Sequence, residues 1–237
     1  MKTIICFLKL AFSLLGNIGN MRKIKAMDEK GIKDERENFV FQVTSKWAKS
    51  MVDCTGSEVE VFGEENLIKD RPVVYISNHQ SDYDIPLFMG YIRAPKGFIA
   101  KTEMLKVPFV RDWMQVLHCV FMDRSNVRKA ASAIIEGVKI LKDGHSLVIF
   151  PEGTRSRSSE MLEFKAGSFK LATKAKVPII PVTMDGSYKI FEGNGNKIKS
   201  AKVKIHIHPA IETDGLSKEA AENLPVEIKN IIASKLK

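Results

Sequence analysis

The stretch CVFMDRSNVRKAASAIIEGVKILKDGHSLVIF, residues 119–150, decides the fold. Its ends, CVFM and LVIF, are apolar runs of strand length. Its middle repeats apolar residues at helical spacing, with Val127, Ala131, Ile134, Val138 and Leu141 on one face. Ser125 or Asn126 stands where a helix cap belongs, and Gly144 where a helix ends. Strand, helix and strand in this length form the crossover that joins strands of a sheet with helices on its faces.

The pattern continues in both directions. Upstream, EVEVF (58–62), VVYIS (73–77) and FIA (98–100) read as strands. Downstream, a helix around SFKLATKA precedes VPIIPVTM. The alternating KVKIHIH follows, and a last amphipathic helix carries Leu224, Ile228, Ile231 and Leu236. This order predicts an α/β domain over 56–237, a mixed, largely buried sheet flanked by helices. With 44% hydrophobic and 27% charged residues in 237, no low-complexity run and no repeat, the chain is an ordinary globular one.

Residues 1–55 have a different character and are expected to be N-terminal membrane-associating helices. MKTIICFLKLAFSLLGNIGN is apolar but interrupted by Lys9, and it has no small-residue cleavage pattern. It is short for a spanning helix, which needs about 20 predominantly apolar residues. MRKIKAMDEKGIKDERE reads as a polar connector. In FVFQVTSKWAKSMVD, Phe39, Val43, Trp47 and Met51 recur every four residues, with Trp47 suited to a headgroup boundary. Ten Lys and Arg against five Asp and Glu in residues 1–50 place basic charge beside apolar surface, the combination of an amphipathic pair lying in a membrane interface. A helix pair that covers the core, or one used for dimerisation, fits the same pattern.

The net charge of +9 implies an anionic partner: nucleic acid, an acidic bilayer, an acidic carrier protein or a phosphorylated substrate. Cys6, Cys54 and Cys119 are odd in number and far apart in sequence, so neither a disulfide framework nor a zinc site is indicated and a reducing compartment is the simplest expectation.

Three polar clusters fall at the ends of three expected strands, where open α/β sheets carry their reactive loops. In SNHQSDYDIP (77–86), His79 is placed to pair with Asp82 or Asp84 as an oriented base. Five residues apart on one helix, His79 and Asp84 would not share a face, so a turn must bring them together. A solvated loop histidine with an aspartate helix cap is the plainer alternative. FPEGTRSRSS supplies Gly153, the Thr154 hydroxyl and the guanidinium groups of Arg155 and Arg157, a set suited to a phosphate but without a Walker lysine. Glu152 either ties this loop to neighbouring backbone or receives a substrate hydroxyl. Arg124 in DRSN and Lys101 add positive charge if their strand ends converge.

Together these stretches resemble the 1-acyl-sn-glycerol-3-phosphate acyltransferase family of glycerolipid acyltransferases. NHQSDYD resembles its His-x-x-x-x-Asp block, which selects Asp84 over Asp82. VFMDRSN, FPEGTRS and VPIIPV resemble the second to fourth blocks, over residues of about 58–210. The resemblance implies that His79, held by Asp84, takes the proton of the free 2-hydroxyl of lysophosphatidic acid as that oxygen attacks an acyl thioester. It implies no cofactor beyond that thioester, on acyl carrier protein or coenzyme A, and no metal. Arg124, Glu152, Gly153, Thr154 and Arg155 carry over as acceptor-binding positions, with Lys101 a weaker assignment. Pro178 and Pro181 are candidates for the acyl end of the site. The partners implied are membrane lipids and the two substrates, not nucleic acid, and the location is the cytoplasmic face of a membrane. Other readings are a different lysolipid acceptor, a serine nucleophile at Ser77 or Ser81, a glycosyltransferase using Asp82-x-Asp84 as a metal site, and a non-catalytic membrane-binding protein. His206 and His208 alternate on one strand face and lack a third metal ligand.

Overall fold

The structure, a computed structural model of the chain, describes residues 1–123 and 126–236; the side chains of Leu14, Leu15 and Val127 also lie outside the description. Three helices come first, α1 (Lys2–Gly16), α2 (Ile18–Glu29) and α3 (Lys33–Thr55). The sheet strands and their helices follow: β1 (Glu58–Phe62), β2 (Val74–Ser77), α4 (Asp84–Tyr91), β3 (Gly97–Lys101), α5 (Val110–Val116), β4 (Val120–Met122), α6 (Val127–Lys142), β5 (Leu147–Ile149), α7 (Lys170–Ala175), β6 (Ile179–Asp185), β7 (Lys202–Ile207) and α8 (Lys218–Ala233).

Among the described residues seven strands form one sheet in the order β1-β7-β6-β2-β5-β3-β4, parallel at every pairing except β6 with β7. The expected mixed sheet is therefore present. Because alternate strand residues point to opposite faces, the sheet has two cores. Tyr75, Phe98, Val148, Ile180 and Val182 pack against Ala48 and Val52 of α3 and Leu87 and Phe88 of α4. Val74, Ile76, Ile99, Leu147 and Ile179 pack against Ala133, Leu141, Leu171, Leu224, Ile228 and Ile232 of α6, α7 and α8. The crossover α6 begins at Asn126, whose side chain accepts from the Arg128 and Lys129 amides. Beyond it, Gly144 adopts φ +97°.

Three local expectations differ from the structure. The connector is mostly helical: α2 puts Met21, Ile24 and Met27 on one side, and only Ile24 is fully buried. On α3 the buried row is Arg36, Val40, Thr44, Ala48 and Val52, one residue on from the expected Phe39–Val43–Trp47–Met51 row, of which Met51 is buried and the other three are half-buried. The small Ala48 row wins because α4 comes in close there: a Cβ on Gly90 would sit 2.8 Å from the Lys49 amide nitrogen. Trp47, half-buried, donates its indole N–H to Ser13 Oγ at 2.8 Å and so ties α3 to α1. On α8, Ile232 rather than Ile231 or Leu236 completes the buried row.

Candidate active site

Strand β2 sits between β5 and β6 and is parallel to both, so the loops leaving its C-terminal end and theirs meet at one edge. His79 comes from the β2–α4 loop and Asp84 is the first residue of α4. The chain turns back on itself there. Asp84 Oδ2 accepts from the backbone amides of Gln80 (2.7 Å) and Ser81 (2.9 Å) and lies 2.7 Å from His79 Nδ1. Its other oxygen accepts from Ser187 Oγ at 2.5 Å. The Asp84 carboxylate is fully buried and, as a carboxylate, can only accept from Nδ1, so a neutral imidazole held here carries its proton on Nδ1 and its lone pair on Nε2. The ring stacks on Phe150, centroids 4.1 Å apart, and keeps 16% of its surface exposed.

Glu152 joins two loops. Its Oε1 accepts from the His79 amide at 2.7 Å and its Oε2 from the Leu162 amide at 2.8 Å, while the Ser156 amide donates to the His79 carbonyl. Burial raises the pKa of this carboxyl above the ordinary glutamate value, and the two amide donors oppose that shift. Of the two expected alternatives, tying the loop to backbone is the one its geometry fits. Gly153 turns the chain with φ +75°, which a side chain would disfavour.

A cavity of about 530 Å³ opens at His79, and its polar lining includes Asp82, Lys101, Gly153, Thr154, Arg155 and Arg157. Its apolar walls include Leu10, Val43, Trp47, Ile85, Met89, Phe98, Leu117 and Phe150. Of the expected site residues, His79, Lys101, Gly153, Thr154 and Arg155 thus share one cavity, Asp84 and Glu152 stand behind it, and Arg124 lies outside the described residues together with Ser125. Pro178 and Pro181 do not line it. Pro181 pairs with Ile76 inside the sheet, and the Pro178 carbonyl accepts from Val74.

Arg155 is already bound on one side: Nη1 donates to Asp82 Oδ2 and, at 3.1 Å, to Glu192 Oε1. Glu192 also accepts from Ser81 Oγ (2.5 Å) and the Asp82 amide (2.8 Å). Burial raises the Asp82 carboxyl, Arg155 opposes this and Glu192 adds to it. Ser187 and Glu192, in the β6–β7 connection, escape sequence reasoning because they act on residues more than 100 positions away. The only local sign is a DGS turn after a buried strand, which many loops share.

The same geometry bears on the other readings. Asp82 is bonded to Arg155 and Asp84 to His79, so both carboxylates are already engaged by protein donors. Ser77 Oγ donates to the Asn78 carbonyl and Ser81 Oγ to Glu192, so neither hydroxyl is paired with the imidazole as an activated nucleophile would be. Away from the cavity, Glu37, His118 and His145 have ligand atoms within 4.8 Å of one another. There Arg36 already donates to Glu37 at 2.6 Å and approaches His118 Nε2 at 3.3 Å, so a protein cation fills the position a metal would take.

A family model described as Acyltransferase matches residues 58–185. The 1-acyl-sn-glycerol-3-phosphate acyltransferase of Borreliella burgdorferi is 35% identical over 76% of this chain and 72% of its own length. That of Saccharomyces cerevisiae is 34% identical over 77% of this chain and 61% of its own. The crystal structure of the 1-acyl-sn-glycerophosphate (LPA) acyltransferase PlsC from Thermotoga maritima superposes with a TM-score of 0.79 at 30% identity, covering 99% of this chain and 95% of that one. By its family model, its relatives and its fold, the chain belongs to the 1-acyl-sn-glycerol-3-phosphate acyltransferase family.

Proposed function

We propose that this chain transfers an acyl group from a thioester to the 2-hydroxyl of 1-acyl-sn-glycerol-3-phosphate, giving phosphatidic acid. The observation that carries the reading is the His79–Asp84 pair beside a cavity lined by Lys101, Arg155 and Arg157 as well as by many apolar side chains. His79 Nε2 takes the hydroxyl proton as the oxygen attacks the thioester carbonyl. The tetrahedral adduct expels the thiolate, and the imidazolium returns the proton to the sulfur. Asp84 supports the transient cation. No acyl-enzyme is formed.

The acceptor phosphate is assigned to Arg155, Thr154 and Lys101. Arg155 keeps guanidinium N–H groups beyond the single nitrogen that bonds Asp82 and Glu192. Gly153 and Glu152 shape the loop that carries them, and Arg124 is assigned to the same phosphate from the family motif. The apolar walls suit an acyl chain, and their volume falls in the range of ordinary ligand pockets, about 300–1,000 Å³. Acyl carrier protein and coenzyme A are both anionic donors compatible with the basic chain.

The N-terminal helices are assigned to the membrane, on its cytoplasmic face. The helical stretch Lys2–Glu29 contains a window of mean hydropathy 1.6, long and apolar enough to cross a bilayer. Lying in the interface fits better. Ile4, Ile5, Phe7, Leu8 and Phe12 are exposed on α1, while Lys2 and Lys9 bond carbonyls of α3, holding the helix along the domain. Labelled acyl transfer from acyl-CoA and from acyl carrier protein to lysophosphatidic acid, lysophosphatidylcholine and a lyso-amino lipid tests the reading. Preference for lysophosphatidic acid supports it. Activity on the other acceptors alone would keep the reaction and remove the named substrate.

A further inference from the structure

Cysteines 48 positions apart in sequence meet in the fold. Cys6 Sγ on α1 and Cys54 Sγ on α3 are 2.6 Å apart, closer than the van der Waals contact of two sulfurs, although both are free thiols. The helix register that brings them together is fixed independently. Lys2 Nζ donates to the Thr55 carbonyl at 3.0 Å and Lys9 Nζ to the Ser50 carbonyl at 2.7 Å, bracketing the pair on both sides. Cys119 is no competitor: it is buried in the sheet core with its sulfur accepting from the Phe98 amide.

We propose that Cys6 and Cys54 form a reversible intramolecular disulfide that locks α1 onto α3. With a small-molecule disulfide such as glutathione disulfide as oxidant, the half-buried Cys54 thiolate attacks first and releases one glutathione thiolate. Cys6, as its thiolate, then attacks the Cys54 sulfur and releases the second. Two thiol protons pass to solvent and two electrons to the glutathione sulfurs. Burial raises the Cys6 thiol above its ordinary value, and this cause persists once Cys54 carries glutathione, so the second step accelerates as pH rises. The bond fixes the spacing of two cavity walls, because α1 supplies Leu10, with Asn17 just after the helix, and α3 supplies Val43, Thr44 and Trp47.

The test uses the full chain in detergent with glutathione disulfide at pH 8.5, followed by thiol alkylation and mass spectrometry. The intact chain and Cys119→Ser should each lose two alkylatable thiols and yield a tryptic cross-link between peptides 3–9 and 50–69, reversed by dithiothreitol. Cys6→Ser should instead stop at a glutathione adduct on Cys54. Three alkylatable thiols after prolonged oxidation of the intact chain, a persistent adduct with Cys6 free, or cross-links only between chains would overturn the proposal.

Discussion

Replacing Asp84 by asparagine removes one charge from the site and little else. The Asn oxygen can keep the three donors now on Oδ2, namely Gln80 N, Ser81 N and His79 Nδ1, and the Ser187 hydroxyl can turn to accept from the new amide. The loop should therefore hold its shape. What disappears is attraction for the imidazolium formed when His79 takes the substrate proton. With Nδ1 and Oδ2 at 2.7 Å, the charge centres lie about 4 Å apart, an interaction of about 4 kcal/mol at an effective dielectric near 20. At about 1.36 kcal/mol per decade, the loss in kcat is two to three orders of magnitude, because solvent at the exposed edge of His79 returns part of it. Acceptor KM should change less than threefold. The assay is steady-state transfer of a labelled acyl group, with thermal unfolding measured in parallel. A kcat within fivefold of the parent, with the variant folded, would refute the charge argument. A collapse of thermal stability would show instead that Asp84 is structural first.

Arg155→Gln should raise the KM for a phosphate-bearing acceptor by tenfold to a hundredfold, the loss of charged hydrogen bonds of about 1.5–3 kcal/mol, and leave the thioester KM unchanged; acceptor titrations check both. Gly90→Ala should destabilise the fold by about 1–2 kcal/mol in urea unfolding despite the better helix propensity of alanine, because its methyl group meets the α3 backbone. His208, which bonds Thr183 at 2.8 Å, has its pKa lowered from 6.5 to about 4, first by burial and then by His206 and Lys235. Between those values the unfolded chain binds a proton that the folded chain does not, so this contribution is complete above pH 6.5 and is lost as pH falls toward 4. Unfolding at pH 7 and 4.5 should show a loss on the order of 2–3 kcal/mol that His208→Asn removes, and equal losses in both chains would contradict it.

The fold was legible because the crossover at 119–150 and the buried strands are local patterns, each carried by its own residues. The faces of α3 and α8 were harder. Phe39, Val43 and Trp47 of α3 are apolar yet only half-buried, because the main buried row is set by how closely α4 approaches, which depends on Gly90 far along the chain. The helical nature of α2 was masked by its charge, since its contact with the rest rests chiefly on Ile24. Within the site, His79 and Asp84 were readable as a spaced pair at a strand end. Ser187 and Glu192 were not, because a hydroxyl or carboxylate in a loop shows its role only when folding brings it to its partner. The Cys6–Cys54 contact was hidden for the same reason.

The central claim is that His79 is the base that activates the acceptor hydroxyl. It is tested most directly by labelled acyl transfer to 1-acyl-sn-glycerol-3-phosphate with the intact chain and His79→Ala, both confirmed folded and both assayed with and without a chelator. The account predicts a loss of about a hundredfold or more in the variant and no chelator effect in either chain. Equal activity in the two chains would contradict it.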